Sequence, residues 1–189
     1  MASGVRRVIL VEGVSDLAAL TELARRRGRD LRAEGIALLA MGGATNLGRY
    51  LGVLGPAGLD LEVGGLCDAG EEADFRRFLE AAGVASVTDR PGLEALGFFV
   101  CDADLEYELI RALGTDGTIE LIEAEGDAAP WRTFQTQPHQ RGRDLVEQLH
   151  RFIGTRGGRK EQYARAFVER LDLAAVPRPL DLVLGTPVR

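Results

Sequence analysis

The chain of 189 residues holds a single lysine against twenty-two arginines, only two cysteines, two histidines and one tryptophan. Cys67 and Cys101 each precede an acidic residue at the end of an apolar run, and a reducing cytosol keeps such residues as buried thiols. His139 and His150 have no cysteine or histidine at zinc-finger spacing, so they are expected on the surface. No apolar stretch approaches the roughly 20 residues that span a bilayer. Met1-Ala2-Ser3-Gly4-Val5-Arg6-Arg7 leads straight into a strand without a signal-peptide core, so a cytoplasmic protein with no membrane association is expected. No Gly-x-x-x-x-Gly-Lys-Ser/Thr loop is present, which excludes ATP hydrolysis by that route. Tandem repeats and low-complexity segments are also absent.

A formal net charge of −6 argues at first against a nucleic-acid partner. The charge is unevenly spread, however: residues 1–129 carry 12 basic and 23 acidic residues, whereas 130–189 carry 11 basic and 6 acidic. Arg132, Arg141, Arg143, Arg151, Arg156, Arg159, Lys160 and Arg165 are therefore candidates for phosphate contacts, or form a solvated helix face. Trp131, Phe134 and Phe152 lie in the same region. Stacking on bases is one use for them, and anchoring the C-terminal helices is the better-supported one.

What the chain does have is a carboxylate wherever a strand-like run stops. Val8-Ile9-Leu10-Val11 runs into Glu12-Gly13-Val14-Ser15-Asp16, Val63-Gly64-Gly65-Leu66-Cys67 into Asp68, and Phe98-Phe99-Val100-Cys101 into Asp102-Ala103-Asp104-Leu105-Glu106. The runs are short and apolar, as buried parallel strands are, and helix-like segments follow each. Ligands of open α/β sheets sit beyond the carboxyl ends of the strands. Acids converging there need a counter-charge, and a divalent cation with oxygen ligands supplies it.

The remaining pattern completes an α/β alternation. Helices are expected from Ser15 to about Arg27, capped by Ser15 or Asp16, and from a cap at Asn46 through Leu54. Ile36–Met41 is the second strand. Further helices are expected over 71–82, 105–113, 144–153 and 160–171, with a loop or short strand at 118–123 and a turn at 126–130. Pro177 and Pro179 close the last helix pair. The outcome is a mostly parallel four-stranded sheet flanked by helices, with residues 1–130 as the α/β core and 131–189 as a basic helical extension packed on the same domain.

Val11-Glu12-Gly13-x-x-Asp16, then Met41-Gly42-Gly43-Ala44-Thr45-Asn46-Leu47, then Leu66-Cys67-Asp68 resembles the TOPRIM domain of topoisomerases, primases and some nucleases. Asp104-Leu105-Glu106 and Gly158-Arg159-Lys160, each opening a helix, resemble the version at the C-terminus of OLD-family (overcoming lysogenisation defect) nucleases. The resemblance implies a TOPRIM-like Rossmannoid fold and metal-dependent phosphodiester chemistry on DNA. By position it makes Glu12 the general acid/base or a metal-proximal ligand, and Asp16, Asp68 and Glu106 metal ligands. Asp104 and Glu72 are further candidates, although Asp104 is also a plausible helix cap. Two Mg²⁺ or Mn²⁺ ions about 4 Å apart would serve an in-line displacement, and Lys160 would meet the transition-state charge.

Two departures from the family pattern stand out. TOPRIM domains usually carry Asp-x-Asp at the third strand, whereas this chain has Asp68-Ala69-Gly70 followed by Glu71-Glu72; the missing carboxylate is lost, replaced by water, or supplied by Glu71 or Glu72. OLD proteins also join this domain to an ATPase. Without a phosphate loop the expectation is a free-standing relative or one with a separately encoded ATPase, and a homodimer is open. The alternatives to a nuclease are a weakened TOPRIM module that binds metal, nucleic acid or that ATPase, and a phosphoacceptor domain. The last is disfavoured because receivers pair their acids directly after the first strand and Lys160 lies far beyond the matching one.

Overall fold

A computed structural model describes residues 4–154 and 158–186. Four strands, β1 (Arg7–Val11), β2 (Ile36–Ala40), β3 (Glu62–Asp68) and β4 (Phe98–Cys101), pair in the order β2-β1-β3-β4, all parallel. The described helices longer than one turn are α1 (Val14–Arg26), α2 (Leu47–Leu54), α3 (Glu72–Ala81), α4 (Arg90–Ala95), α5 (Leu105–Ala124), α6 (Ala128–Gln135), α7 (Leu145–Gly154), α8 (Arg159–Arg170) and α9 (Arg178–Gly185).

Strand alternation divides the core. Ile9 and Val11 of β1, Leu66 of β3 and Phe99 of β4 face one side, where they meet α1, α5, α7 and α8. Val8, Leu10, Cys67, Phe98 and Val100 face the other, against α2, α3 and α4. This division follows from right-handed crossovers: the chain leaves β1 toward β2 and then turns back past β1 to β3, which puts α1 and α2 on opposite faces. The reversal falls between β1 and β3, and the crevice beyond their carboxyl ends is the usual ligand position.

The glycine pair of β3 is a packing requirement. A Cβ on Gly65 would lie 2.3 Å from the Leu10 carbonyl oxygen, and one on Gly64 would lie 2.6 Å from that of Gly97. Side chains at these positions would push β3 off its neighbours and move the carboxylate at its end.

Several local expectations are corrected. Residues 118–123 are helical: α5 continues to Ala124 through a kink at Gly114 (φ 78°, ψ 164°), and the Thr118 hydroxyl donates to the Gly114 carbonyl at 2.7 Å. Thr118, Leu121 and Ile122 are buried at helical spacing, a periodicity hidden by the mixed polarity of the segment. The turn expected at 126–130 is present at Gly126 (φ 80°) but ends by Ala128, where α6 begins. Pro179 starts α9 rather than ending a helix pair, because a helix's first turn has no use for the missing N–H. Asn46 caps nothing; its side-chain amide donates to the Met41 and Gly42 carbonyls. The α1 cap is Gly13, whose N–H donates to the Asp16 carboxylate at 2.9 Å.

At the amino ends of the strands, arginines hold the last helix. Arg7, 1% exposed, donates to the Thr186 and Val183 carbonyls, and Arg29 to that of Leu184. These oxygens are the ones a helix leaves unpaired at its C-terminus. Trp131, Phe134 and Phe152 are buried together, with ring centroids 5.2–5.9 Å apart, and anchor α6 to α7. No helix among the described residues is long and apolar enough to cross a membrane.

Candidate metal centre

Glu12 follows β1 directly and Asp68 ends β3, so adjacent strands bring their carboxylates to the switch-point crevice. A one-turn 3₁₀ helix, Ala69–Glu71, follows Asp68. Side chains three apart nearly eclipse in that geometry, and Glu71 is thereby returned to the crevice beside Asp68. Oxygens of Glu12, Asp68 and Glu71 lie within 4.8 Å of one another. Asp16, in the first turn of α1, is 9% exposed beside them. The cleft, about 430 Å³, is lined by Glu12, Asp16, Asp68, Glu106 and Lys160.

Glu72, one residue further along, points elsewhere. It pairs with Arg90 at 3.1 Å and lies 3.8 Å from Arg76. Arg90 also holds Asp102 at 2.8 Å. These acids already have their counter-charges. Of the two acids that the sequence offered, Glu71 and Glu72, the tight turn brings Glu71 to the crevice.

A second group forms where α5 begins. Asp104 caps α5 by accepting the Tyr107 N–H at 2.9 Å, and its other oxygen lies 2.6 Å from His150 Nε2 of α7. Glu106 is 5% exposed. Lys160, at the start of α8, places its ammonium 3.4 Å from Glu106 Oε2. Asp104, Glu106 and His150 present ligand atoms within 4.8 Å of one another. His150, expected on the surface, is instead half-buried against Asp104 and the Tyr107 ring.

The electrostatics are those of a site short of positive charge. Burial, then Asp16, Asp104, Glu12 and Glu71, push the Asp68 carboxyl from 3.8 up to about 8. Burial followed by the Glu12 charge takes Glu71 to about 7. Burial also raises Asp16 to about 6, against the lowering hydrogen bond from Gly13. Asp104 differs: burial raises it, but His150, the Tyr107 N–H and Lys160 together outweigh that and hold it below the usual range. Burial works against the Lys160 ammonium, yet Glu106, Asp104 and Asp68 prevail and raise its pKa.

Glu71 Oε2 and Glu106 Oε1 are buried without a hydrogen-bond partner among the described residues. A buried carboxylate oxygen without a partner is costly. One such oxygen in each acidic group, within an otherwise oxygen-rich donor set, fits hard divalent cations.

Residues 5–69 match the family described as overcoming lysogenization defect protein-like, TOPRIM domain. That stretch is similar to an OLD-like TOPRIM domain. The wider chain resembles the C-terminal region of the Burkholderia pseudomallei OLD protein (TM-score 0.73, 24% identity, 96% of each chain). It also resembles that of the Xanthomonas campestris pv. campestris OLD protein (TM-score 0.71, 25% identity, 96% of this chain and 91% of that one). No curated protein matches. An OLD-like TOPRIM domain implies a metal-binding, nuclease-like module. Glu12, Asp16 and Asp68 fall inside the matched TOPRIM segment, whereas Asp104, Glu106, His150 and Lys160 lie beyond it. Gly70 stands where TOPRIM domains usually have an aspartate, and beyond its chain neighbours no atom of the described residues would lie within 4 Å of a Cβ placed there.

Of the basic candidates, Arg132, Arg141, Arg151 and Arg165 are exposed, Arg165 being paired with Glu169 and Arg143 with Glu147. Arg159 is buried instead, bound to Asp127 and lying over the Phe152 ring. Arg156 lies outside the described residues.

Proposed function

We propose that the chain is a divalent-metal-dependent nuclease that hydrolyses or nicks the phosphodiester backbone of DNA. The observation that carries this reading is the convergence of Glu12, Asp68 and Glu71 at the β1/β3 switch point, with Glu106 and Lys160 across the same cleft. Glu12, Asp68 and Glu71 would hold one cation, with Asp16 beside them, and Asp104 and Glu106 would hold a second. Bound Mg²⁺ or Mn²⁺ supplies charge neutralisation, activation of water and stabilisation of the leaving oxygen. Glu12 is the residue placed to take or give a proton at the attacking water. Lys160, a compact ammonium half in solvent, meets negative charge developing on the phosphate without needing arginine's planar geometry.

A larger cleft of about 830 Å³, lined in part by His139, His150, Arg151 and Lys160, adjoins the metal cleft and shares Gly154 and Lys160 with it. Its basic rim gives the DNA strand a path away from the acids.

The test is cleavage of supercoiled plasmid with Mg²⁺, Mn²⁺ or EDTA, run beside Glu12→Ala. Metal-dependent nicking lost in the variant supports the nuclease. Metal binding without nicking favours a binding module, the reading to which Gly70 points.

A further inference from the structure

The two acidic groups differ in one chemically decisive way: the first offers only carboxylate oxygens, and the second includes an imidazole. His150 Nε2 lies 2.6 Å from Asp104 Oδ2, a hydrogen-bond contact that brings a nitrogen and an oxygen donor to one point. The orientation of both is set by contacts that leave these atoms facing each other. Asp104 Oδ1 is taken by the Tyr107 N–H, so Oδ2 turns toward His150. The Tyr107 ring stacks on the imidazole at 4.2 Å and 28°, which fixes its plane.

A hydrogen bond tying α7 to α5 would account for His150 and Asp104 alone. It does not account for Glu106, which is 5% exposed and has its Oε1 buried without a partner among the described residues, while Lys160 engages the other oxygen. One ligand atom from each of Asp104, Glu106 and His150 falls within 4.8 Å of the other two.

We infer that His150 is a metal ligand, so that Asp104, Glu106 and His150 form a mixed nitrogen–oxygen site that takes Mn²⁺, or a similar nitrogen-accepting divalent cation, in preference to Mg²⁺. Imidazole suits first-row transition ions, whereas Mg²⁺ favours oxygen and gives up its water reluctantly. The Glu12–Asp68–Glu71 group makes no such distinction. The two positions of one centre therefore differ in selectivity, and the second decides which metal the centre prefers. This inference rests on the metal-binding part of the proposed function and not on cleavage.

The experiment is pulsed electron paramagnetic resonance of the Mn²⁺-loaded full chain with any affinity tag removed, together with calorimetric titration by Mn²⁺ and Mg²⁺. Only two histidines exist in the chain, so His139→Ala is a complete control. The wild type and His139→Ala should show a directly bound nitrogen. His150→Ala and His150→Gln should lose it, with Mn²⁺ affinity at one position falling at least about tenfold and Mg²⁺ affinity moving by less than about twofold. His150→Gln keeps a planar group over Tyr107, which guards against loss of packing. The inference is overturned if the wild type shows no bound nitrogen, if the signal survives in both His150 variants, or if Mn²⁺ and Mg²⁺ affinities fall together. None of these readouts needs substrate, so a protein that binds Mn²⁺ through nitrogen yet cuts nothing would sink the nuclease proposal alone.

Discussion

Replacing Asp68 with asparagine should stabilise the metal-free protein at alkaline pH and remove its response to metal at the Glu12–Asp68–Glu71 position. The Asp68 carboxyl is raised from 3.8 to about 8 by burial and four neighbouring acids. In the unfolded chain it ionises near pH 4, whereas the folded protein retains the proton until about pH 8. The folded state therefore binds more protons across that window, and stability falls as pH rises through it. At about 1.4 kcal/mol per pH unit the loss has a ceiling of about 6 kcal/mol. Solvent reaching this partly exposed group, and protonation of its neighbours, reduce it to about 2 kcal/mol. For a domain of this size that is about 4–8 °C in Tm. Thermal melts in EDTA from pH 4 to 9 should show Asp68→Asn equal to the wild type at the acid end and above it at the alkaline end. Added Mg²⁺ or Mn²⁺ should raise the wild-type Tm and close the gap. A variant less stable than the wild type at pH 8, or a difference independent of pH, would refute the reasoning.

Substitutions at three further positions separate roles within the centre. Glu71→Ala should weaken metal binding by about 10- to 100-fold in calorimetry, whereas Glu72→Ala should leave metal affinity near the wild-type value and leave Arg90 paired with Asp102 alone. Lys160→Ala should lower turnover in a plasmid assay by more than it lowers metal affinity, with Lys160→Arg intermediate because charge is kept and shape is not.

The fold was legible because its signals are local. Four short apolar runs with β-branched and aromatic residues, each followed by helical spacing, suffice for a parallel sheet, and Glu12 and Asp68 are visible as acids where such runs stop. Boundaries that depend on what packs outside a segment were less legible: α5 past Gly114 is buried beneath α7 and α8, and nothing in 118–123 alone announces that. Choosing between Glu71 and Glu72 required knowing that a 3₁₀ turn, rather than α-helix, follows β3. His150 was read as exposed because its partner lies 46 residues away at the start of another helix. No local spacing records such a meeting.

The centre draws its parts from both ends of the sequence order. Three carboxylates come from the first 71 residues, while the imidazole and the ammonium arrive only with α7 and α8. Contacts of such long separation close slowly, and a domain folds as a unit. A copy still lacking α7 and α8 would miss His150 and Lys160 and also the helices that cover the Ile9 and Val11 face of the sheet. Closing that core and completing the centre are therefore one event.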